Sequence, residues 1–203
     1  IAKLMSPFYA SVTEEIVSAR PDGSMPVYDC IPLPFPVEHA LFFNTENMKN
    51  AEEFEDITAP KKGANPQNKA ESNLISLLCS ALIELGKTKN ILTTTGYKSQ
   101  ANFLQRMFLE LQEETDSAEI SEAISSWAMQ TMPLESAQGK QAEITNISFT
   151  KTRSPGFMKT ESKCVVGMTR ATGATLVYGR GKNILHSGPW ATIFTEVQRM
   201  GWT

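Results

Sequence analysis

Three blocks of the sequence between residues 65 and 133 repeat apolar side chains at intervals of three and four, the spacing of one face of an α-helix. The first block follows Asn65-Pro66 and closes at Gly86, the second follows Thr95-Gly96, and the third runs from Asp116 to Pro133. Proline in a first turn starts a helix, whereas glycine or an interior proline ends one. Because short connections join the blocks, we predict three amphipathic helices that pack as a bundle.

The first 64 residues are predicted to hold a short helix, an extended arm and a second helical region. Ser11 and Glu14 form a capping box, which predicts a helix that ends near Arg20, and residues 37–56 are predicted to form one or two more helices. Alternate prolines between these regions favour an extended backbone. We expect this apolar arm to lie on the chain's own helices or on a neighbouring copy. Its predicted oligomer contacts are Ile31, Pro32, Leu33, Pro34, Phe35 and Pro36.

The pattern changes after residue 142, where β-branched and aromatic residues become frequent. Residues 163–168 and 175–178 form two such runs on either side of Ala171-Thr172-Gly173, which predicts an antiparallel β-hairpin. Pro189, directly after Gly188, then starts a closing amphipathic helix that Gly201 ends. The order of helices, then strands, then one helix predicts the α+β class.

The predicted α+β fold therefore has an N-terminal and central helical bundle with an extended proline-rich arm, followed by a C-terminal antiparallel β-hairpin and a closing helix. We divide the chain into residues 1–64 (first helix, arm and acidic helical segment), residues 65–141 (three-helix bundle core) and residues 142–203 (basic, β-rich end). Apolar residues make up 41% of the chain and charged residues 20%, a composition typical of globular proteins. Residues 74–85, the most apolar stretch, are too few to span a bilayer, which takes roughly 20 residues, so no membrane span is predicted.

The charges are divided unevenly along the chain. Residues 1–150 carry 11 Lys and Arg against 20 Asp and Glu, and residues 151–203 carry 8 against 2. The two parts thus have net charges of −9 and +6, which the total of −3 conceals. The basic residues predicted to bind nucleic acid are Lys151, Arg153, Lys159, Lys163, Arg170, Arg180 and Lys182.

This charge division has three interpretations. The basic end binds nucleic acid, RNA more readily than DNA, with Phe157, Tyr178 or Trp190 stacking on bases. Alternatively, the acidic helices of one copy bind the basic end of the next, which makes the protein a homo-oligomer. In the third interpretation, the basic end lies against the acidic helices of its own chain or is ordinary solvated surface. The sequence leaves all three open.

No residue pattern in the chain is typical of a metal or catalytic site. Neither His39 nor His186 has a second histidine or a cysteine at the spacing of metal ligands. Cys164 with His186 and Glu161 would make a cysteine nucleophile, but the predicted strand around Cys164 favours a buried structural thiol. We therefore predict no catalytic residue, metal, cofactor or small-molecule substrate. The odd number of cysteines, 3, favours an intracellular, cytoplasmic location or one within an assembled particle.

The glycines of residues 173–182 do not match a phosphate-binding loop. Five residues instead of four separate Gly173 from Gly179, and Lys182 is followed by asparagine rather than serine or threonine. A dinucleotide-binding motif would need a strand, a turn and a helix in that order, which the predicted elements do not provide after Gly179-Arg180-Gly181. We expect these glycines to shape a turn from which Arg180 and Lys182 project together.

From these patterns we predict a non-enzymatic structural protein that self-associates and contacts nucleic acid through its basic C-terminal part. A coat, capsid or nucleoprotein-like subunit of a virion has this combination of properties. One alternative is a protein-binding adaptor in a larger complex, without nucleic acid. Another is an enzyme whose active-site residues are dispersed over the fold, so that their spacing in the sequence does not reveal them.

Overall fold

The computed structural model of the chain describes residues 40–48, 54–55 and 66–199. The strands are β1 (Ala40–Asn44), β2 (Phe54–Glu55), β3 (Pro66–Gln67), β4 (Ile91–Thr95), β5 (Met129–Pro133), β6 (Ala142–Ser148) and β7 (Ala171–Gly179). The α-helices are α1 (Lys69–Glu84), α2 (Lys98–Glu114), α3 (Ala118–Ser125), α4 (Glu161–Met168), α5 (Gly181–Leu185) and α6 (Gly188–Arg199). Two 3₁₀ helices span Leu134–Ala137 and Gly156–Lys159.

Five strands form one sheet in the order β1-β7-β6-β4-β5, and every neighbouring pair is parallel. Parallel neighbours need crossover connections, so the helices cover both faces of such a sheet. Helices α1, α2 and α3 bury their apolar side chains on one face, around Ile75, Leu104 and Ile120. Helices α4, α5 and α6 bury theirs on the other face, around Cys164, Ile184 and Trp190. The chain thus forms a three-layer α/β fold.

The predicted α+β class and helical bundle are therefore wrong. The helices pack on a sheet instead of on one another. Two strands alternate with the helices along the chain, and the helical periodicity of the sequence conceals both strands. Strand β4 is buried along its full length, including Thr93 and Thr94, so it has no alternation of polar and apolar residues to reveal it. Strand β5 falls inside the block predicted as the third helix. The observed helix α3 ends at Ser125, before this strand. Trp127 follows in the left-handed region with φ 60 and ends the helical run well before Pro133.

The predicted β-hairpin is also wrong. Residues 161–168 form α4, and β7 pairs in parallel with β6 and β1 instead of turning back on a preceding strand. Val165 and Val166 suggested a strand, but packing of α4 on the sheet overrides their intrinsic preference. The helix approaches β6 so closely at Gly167 that a Cβ there would lie 2.9 Å from Cδ1 of Ile147.

Three of the predicted helices are confirmed. Helices α1 and α2 lie within the first two periodic blocks, and α6 begins at Gly188 as predicted. The predicted start of α1 is wrong, because Asn68 caps it and Pro66 belongs to β3. Within residues 37–56, the described residues form strands β1 and β2 and the turn that follows β1, and none of them is helical. The predicted helix at residues 11–20 and the arm at residues 31–36 lie outside the described residues.

No helix in the part of the chain that the structure describes is both long and apolar enough to cross a membrane.

Candidate functional site

The crevice between β4 and β6 is the place where this sheet favours a ligand site. The chain leaves β4 into α2, on one face of the sheet, and leaves β6 toward α4, on the other face. Where neighbouring parallel strands send their connections to opposite faces, a crevice opens outside their carboxyl ends. The segments that meet there are residues 95–98 and 149–158. We call Tyr97, Lys98, Thr150, Lys151 and Phe157 the carboxyl-edge site.

An aromatic and basic surface forms the outer part of the carboxyl-edge site. The rings of Tyr97 and Phe157 lie 5.4 Å apart, and Nζ of Lys151 lies 5.9 Å from the centre of the Tyr97 ring. Phe157 is 62% exposed, whereas Tyr97 is buried beneath it. The Tyr97 hydroxyl accepts a hydrogen bond from the backbone N–H of Phe157 at 3.3 Å. An exposed aromatic ring, with a cation over the neighbouring ring, suits a planar base with an attached phosphate.

Gly156 allows this arrangement. Its φ is 54, and a Cβ on it would lie only 2.0 Å from the Tyr97 hydroxyl. Any other residue would strain the backbone and displace the tyrosine ring. The sequence offers no sign of this requirement, because Tyr97 and Gly156 meet only in the folded chain.

A buried polar cluster lies beneath the carboxyl-edge site. The Glu71 carboxylate, fully buried in the first turn of α1, accepts hydrogen bonds from the Ser148 hydroxyl at 2.5 Å and from the Thr150 backbone N–H at 2.9 Å. Gln100 donates to the Ser148 hydroxyl at 3.3 Å and to the Asn68 carbonyl at 3.3 Å. These contacts join the start of α1, the start of α2 and the end of β6. They give the exposed surface a rigid support.

Five of the seven basic residues predicted from the sequence lie beyond the carboxyl ends of the strands. Lys151, Arg153 and Lys159 belong to the connection that leaves β6, and Arg180 and Lys182 follow β7. Lys182 forms a salt bridge of 2.9 Å with Glu46, so its charge is partly balanced within the chain. Of the three predicted stacking residues, Phe157 is exposed, whereas Tyr178 and Trp190 are fully buried and unable to stack on a base.

The other two basic residues lie apart from this group. Lys163 bridges to Glu135 at 2.6 Å, and the hydrogen bond and positive charge of Lys163 lower the pKa of that carboxyl group. Arg170 directly precedes β7 and therefore lies at the amino edge of the sheet. The structure thus separates Arg170, at the amino edge, from the five basic residues that lie beyond the carboxyl ends of the strands.

The Arg170 guanidinium is held in place by its own neighbourhood. Its Nε donates to the Val166 carbonyl at 3.0 Å, and its two Nη atoms donate to the Lys140 carbonyl at 3.2 Å and the Thr169 hydroxyl at 2.9 Å. The side chain is only partly buried, and it lies beside the exposed residues 138–141. We call Gln138, Gly139, Lys140 and Arg170 the amino-edge site. Fixed and partly exposed, this arginine is suited to contacting an anion.

The prediction about Gly179-Arg180-Gly181 needs one correction. A strand, a turn and a helix do follow one another here, since β7 ends at Gly179 and α5 begins at Gly181. Close packing accounts for both glycines: a Cβ on Gly179 would lie 2.9 Å from Cβ of Phe149, and one on Gly181 would lie 3.2 Å from Nδ2 of Asn44. Helix α5 has only 5 residues, so we assign no phosphate site to it.

A second glycine-lysine pair, Gly86-Lys87-Thr88, has the sequence ending of a phosphate-binding loop but the wrong position. It follows the C-terminus of α1, where the free carbonyl groups repel anions. The backbone N–H groups of Gly86 and Lys87 donate to the carbonyls of Ile83 and Leu82, at 2.8 and 2.9 Å. The N–H groups that would bind a phosphate are therefore already hydrogen-bonded to carbonyls at the end of α1.

The two thiols within the described residues are buried. Burial raises the pKa of Cys79 to about 12, although Asn146 and Thr93 lower it slightly through hydrogen bonds. Burial, followed by the charge of Glu161, raises the pKa of the Cys164 thiol. Cys164 lies in α4 rather than in a strand, and it is fully buried. No group of histidine, cysteine or carboxylate side chains suited to a metal ion occurs among the described residues.

This burial predicts slow alkylation. In a Cys30→Ser variant of the folded protein, which leaves only Cys79 and Cys164, we expect both thiols to react with iodoacetamide at pH 8 at least about 100-fold more slowly than free cysteine, because the thiolate is the reactive form. Mass spectrometry after timed quenching measures the rate, with the unfolded chain in urea as control. Labelling of Cys164 at the rate of the unfolded chain would contradict its burial and revive the cysteine nucleophile.

A doubly wound parallel sheet is typical of a class of α/β proteins that bind nucleotides or other phosphorylated ligands. Comparison with protein families makes the assignment specific: the model of the AAA domain matches residues 13–182. The chain belongs to the AAA domain family. A search of curated proteins gave no match.

Membership of this family overturns the predicted function. AAA domains are nucleoside triphosphatase domains, so the prediction of a non-enzymatic coat or capsid subunit is wrong. The alternative of an enzyme with a dispersed active site is the one that the family favours. Tyr97 and Phe157, which meet at the carboxyl edge, come from segments 60 residues apart in sequence, so their spacing does not reveal that they are neighbours.

Proposed function

We propose that the chain is a domain of a helicase-like nucleoside triphosphatase, with nucleotide at the amino-edge site and single-stranded nucleic acid at the carboxyl-edge site. The match to the AAA domain over residues 13–182 carries the proposal. The five-stranded parallel sheet supports it, since this architecture is common to such enzymes. The two basic sites lie on opposite edges of the sheet, which supports one site for nucleotide and a separate site for nucleic acid.

The amino-edge site supplies an arginine to the nucleotide. The sequence holds no phosphate-binding loop between a strand and a helix, so the domain completes a nucleotide site whose loop comes from another domain or subunit. An arginine supplied in this way stabilises the charge that develops on the transferred phosphoryl group. The three hydrogen bonds of Arg170 hold the guanidinium in advance, which lowers the entropy lost on binding.

The carboxyl-edge site contacts single-stranded nucleic acid. The exposed face of Phe157 stacks on a base, and Lys151 and Lys98 neutralise phosphates along the strand. Stacking needs an unpaired base, because the bases of a duplex present their faces only to one another. Arg153, Lys159 and Arg180 extend the positive charge along the same edge of the sheet.

The proposal is tested by hydrolysis of ATP and GTP by the natural protein that contains this domain, with and without a single-stranded oligonucleotide. We expect hydrolysis that the oligonucleotide stimulates, and less stimulation by the same sequence as a duplex. Colorimetric measurement of released phosphate gives the rates. No hydrolysis under either condition would contradict the triphosphatase assignment, and hydrolysis indifferent to nucleic acid would contradict the role of the carboxyl-edge site.

Phe157→Ala is expected to weaken binding of a single-stranded oligonucleotide by about 5- to 150-fold, the loss of one base stack of about 1–3 kcal/mol. Fluorescence anisotropy of a labelled 20-nucleotide strand measures the affinity. Trp127→Ala is the matched control, because Trp127 is equally exposed, at 66%, but lies at the start of β5 on the amino edge. Equal losses in the two variants would indicate nonspecific contact with exposed aromatic residues.

A further inference from the structure

The buried Glu71 belongs to neither proposed ligand site, yet it contacts the turn that leads into one of them. It lies at the third position of α1, after the capping residue Asn68, the place of the acidic member of a capping box. In that motif the carboxylate accepts from the backbone N–H of the capping residue. Here the Asn68 N–H donates to Oε1 of Gln100, at 2.8 Å. The Glu71 carboxylate also contacts the end of β6, through Ser148, and the residue Thr150 beyond it.

Both backbone polar groups of Thr150 are held by the start of α1. The Thr150 N–H donates to Oε2 of Glu71 at 2.9 Å, and the Thr150 carbonyl accepts from Nδ2 of Asn68 at 3.1 Å. Asn68 Nδ2 also donates to Oε1 of Glu71 at 3.2 Å, which ties the two holding side chains together. A pair of residues about 80 positions earlier in the chain thus fixes the backbone of one residue.

Thr150 adopts a conformation that it would not adopt alone. Its φ is 65, in the left-handed region that β-branched residues avoid. The Lys151 N–H donates to the Phe149 carbonyl at 2.6 Å, and a hydrogen bond across a single residue at positive φ marks the rare, strained form of γ-turn. Such strain persists only where surrounding contacts impose it, and it concentrates at functional sites.

The strained turn directs the chain into the carboxyl-edge site. Lys151 follows it immediately, and Phe157 lies six residues farther on. At its far end the segment is fixed by Met158, which is buried and accepts a hydrogen bond from the Trp190 indole at 2.6 Å. Asn183 holds the Lys151 carbonyl at 2.9 Å. The direction in which Lys151 leaves the sheet is therefore decided at Thr150.

We propose that Glu71 is a positioning residue, which holds Thr150 in its left-handed turn and thereby places Lys151 and Phe157 for nucleic acid. The inference rests on the proposed binding of nucleic acid at the carboxyl-edge site. Glu71 suits the task because a carboxylate only accepts hydrogen bonds, and three donors converge on its two oxygens. In a glutamine of the same shape, an NH₂ group replaces one carboxylate oxygen. This NH₂ group faces one of the three donors and is unable to accept its hydrogen bond.

Glu71→Gln tests this role together with Thr150→Gly, since glycine adopts positive φ without strain. We expect Glu71→Gln to weaken binding of a labelled single-stranded 20-nucleotide strand by about tenfold. We also expect it to reduce the slope of log affinity against log salt by about 0.7, the loss of one phosphate contact. In the double variant Glu71→Gln/Thr150→Gly, affinity and slope should return to within about threefold and 0.2 of the original protein.

Recovery of binding in the double variant distinguishes a positioning role of Glu71 from a purely structural role. A purely structural Glu71 predicts lower thermal stability and lower affinity in Glu71→Gln, with no recovery when glycine is added. Glu119→Gln is the matched control, because Glu119 is exposed in the first turn of α3. We expect it to bind like the original protein.

Hydrogen exchange without nucleic acid distinguishes failure of this inference from failure of the proposed function. We expect amides of residues 150–157 to exchange at least about tenfold faster in Glu71→Gln, whereas those of β5 stay unchanged. If the original protein binds no oligonucleotide, the proposed nucleic-acid function is wrong. If it binds and Glu71→Gln matches it, or if residues 150–157 exchange at the original rate, the positioning role is wrong.

If Glu71→Gln does not fold, the variant Asn68→Ser takes its place with the same expectations. Asn68→Ser keeps a capping hydroxyl but removes the donor to Thr150.

Discussion

Arg170→Ala is expected to lower the rate of triphosphate hydrolysis by about 10³-fold or more in the protein that contains this domain. An arginine that reaches the transferred phosphoryl group from outside the phosphate loop contributes on this scale, since it neutralises charge that exists only in the transition state. Nucleotide affinity should change much less. Steady-state kinetics with ATP, in the presence of saturating oligonucleotide, measure kcat and KM separately.

Two further variants sharpen this prediction. Arg170→Lys keeps the charge but loses the planar group that donates to the carbonyls of Val166 and Lys140, so we expect little recovery. Arg106→Ala removes an exposed arginine of α2, which lies over the Phe103 ring, and should leave the rate unchanged. A loss confined to KM in Arg170→Ala would assign this residue to ground-state binding and contradict its catalytic role.

Trp190→Ala should have the largest effect on stability, a decrease of about 3–5 kcal/mol in the free energy of unfolding. Trp190 is fully buried beneath the sheet, and its ring meets that of Phe149 edge-on at 5.1 Å. The substitution removes this packing and leaves the Met158 carbonyl without its indole donor. Urea denaturation followed by circular dichroism measures the change.

The same substitution at an exposed tryptophan provides the comparison. Trp127→Ala should change the free energy of unfolding by less than about 0.5 kcal/mol, because that ring packs on little of the protein. Trp190→Phe should recover part of the stability by refilling the space but not the hydrogen bond. A Trp190→Ala protein as stable as Trp127→Ala would mean that the second core is not packed as described.

Helices α1, α2 and α6 could be predicted from the sequence, whereas α4 and the parallel sheet could not. Helices α1, α2 and α6 have one apolar face and one wet face, so a period of three and four marks them. Strand β5 lies within the third such block. Strand β4 lies between the first two blocks and exposes no residue that would reveal a period of two. Their presence turned a predicted bundle into an α/β sheet.

The candidate site was predictable only in its charge. The positive balance of residues 151–203 pointed to an anionic partner, and Lys151 and Arg153 lie in the crevice region where such a partner is proposed. Their separation from Arg170 depends on α4, which carries the chain from one edge of the sheet to the other. Tyr97 and Glu71 gave no signal, because their partners are 60 and 79 residues away in sequence.

The amino-acid sequence by itself determined which segments form amphipathic helices, where the positive charge is concentrated and which residues punctuate the chain. These properties are local, since they follow from periodicity, capping and composition within a few turns. Only the tertiary structure decided that the strands are parallel, that the basic residues divide between two edges, and that Thr150 is held in a left-handed turn. Those outcomes depend on contacts between distant segments, which form only when helices on both faces bury the sheet.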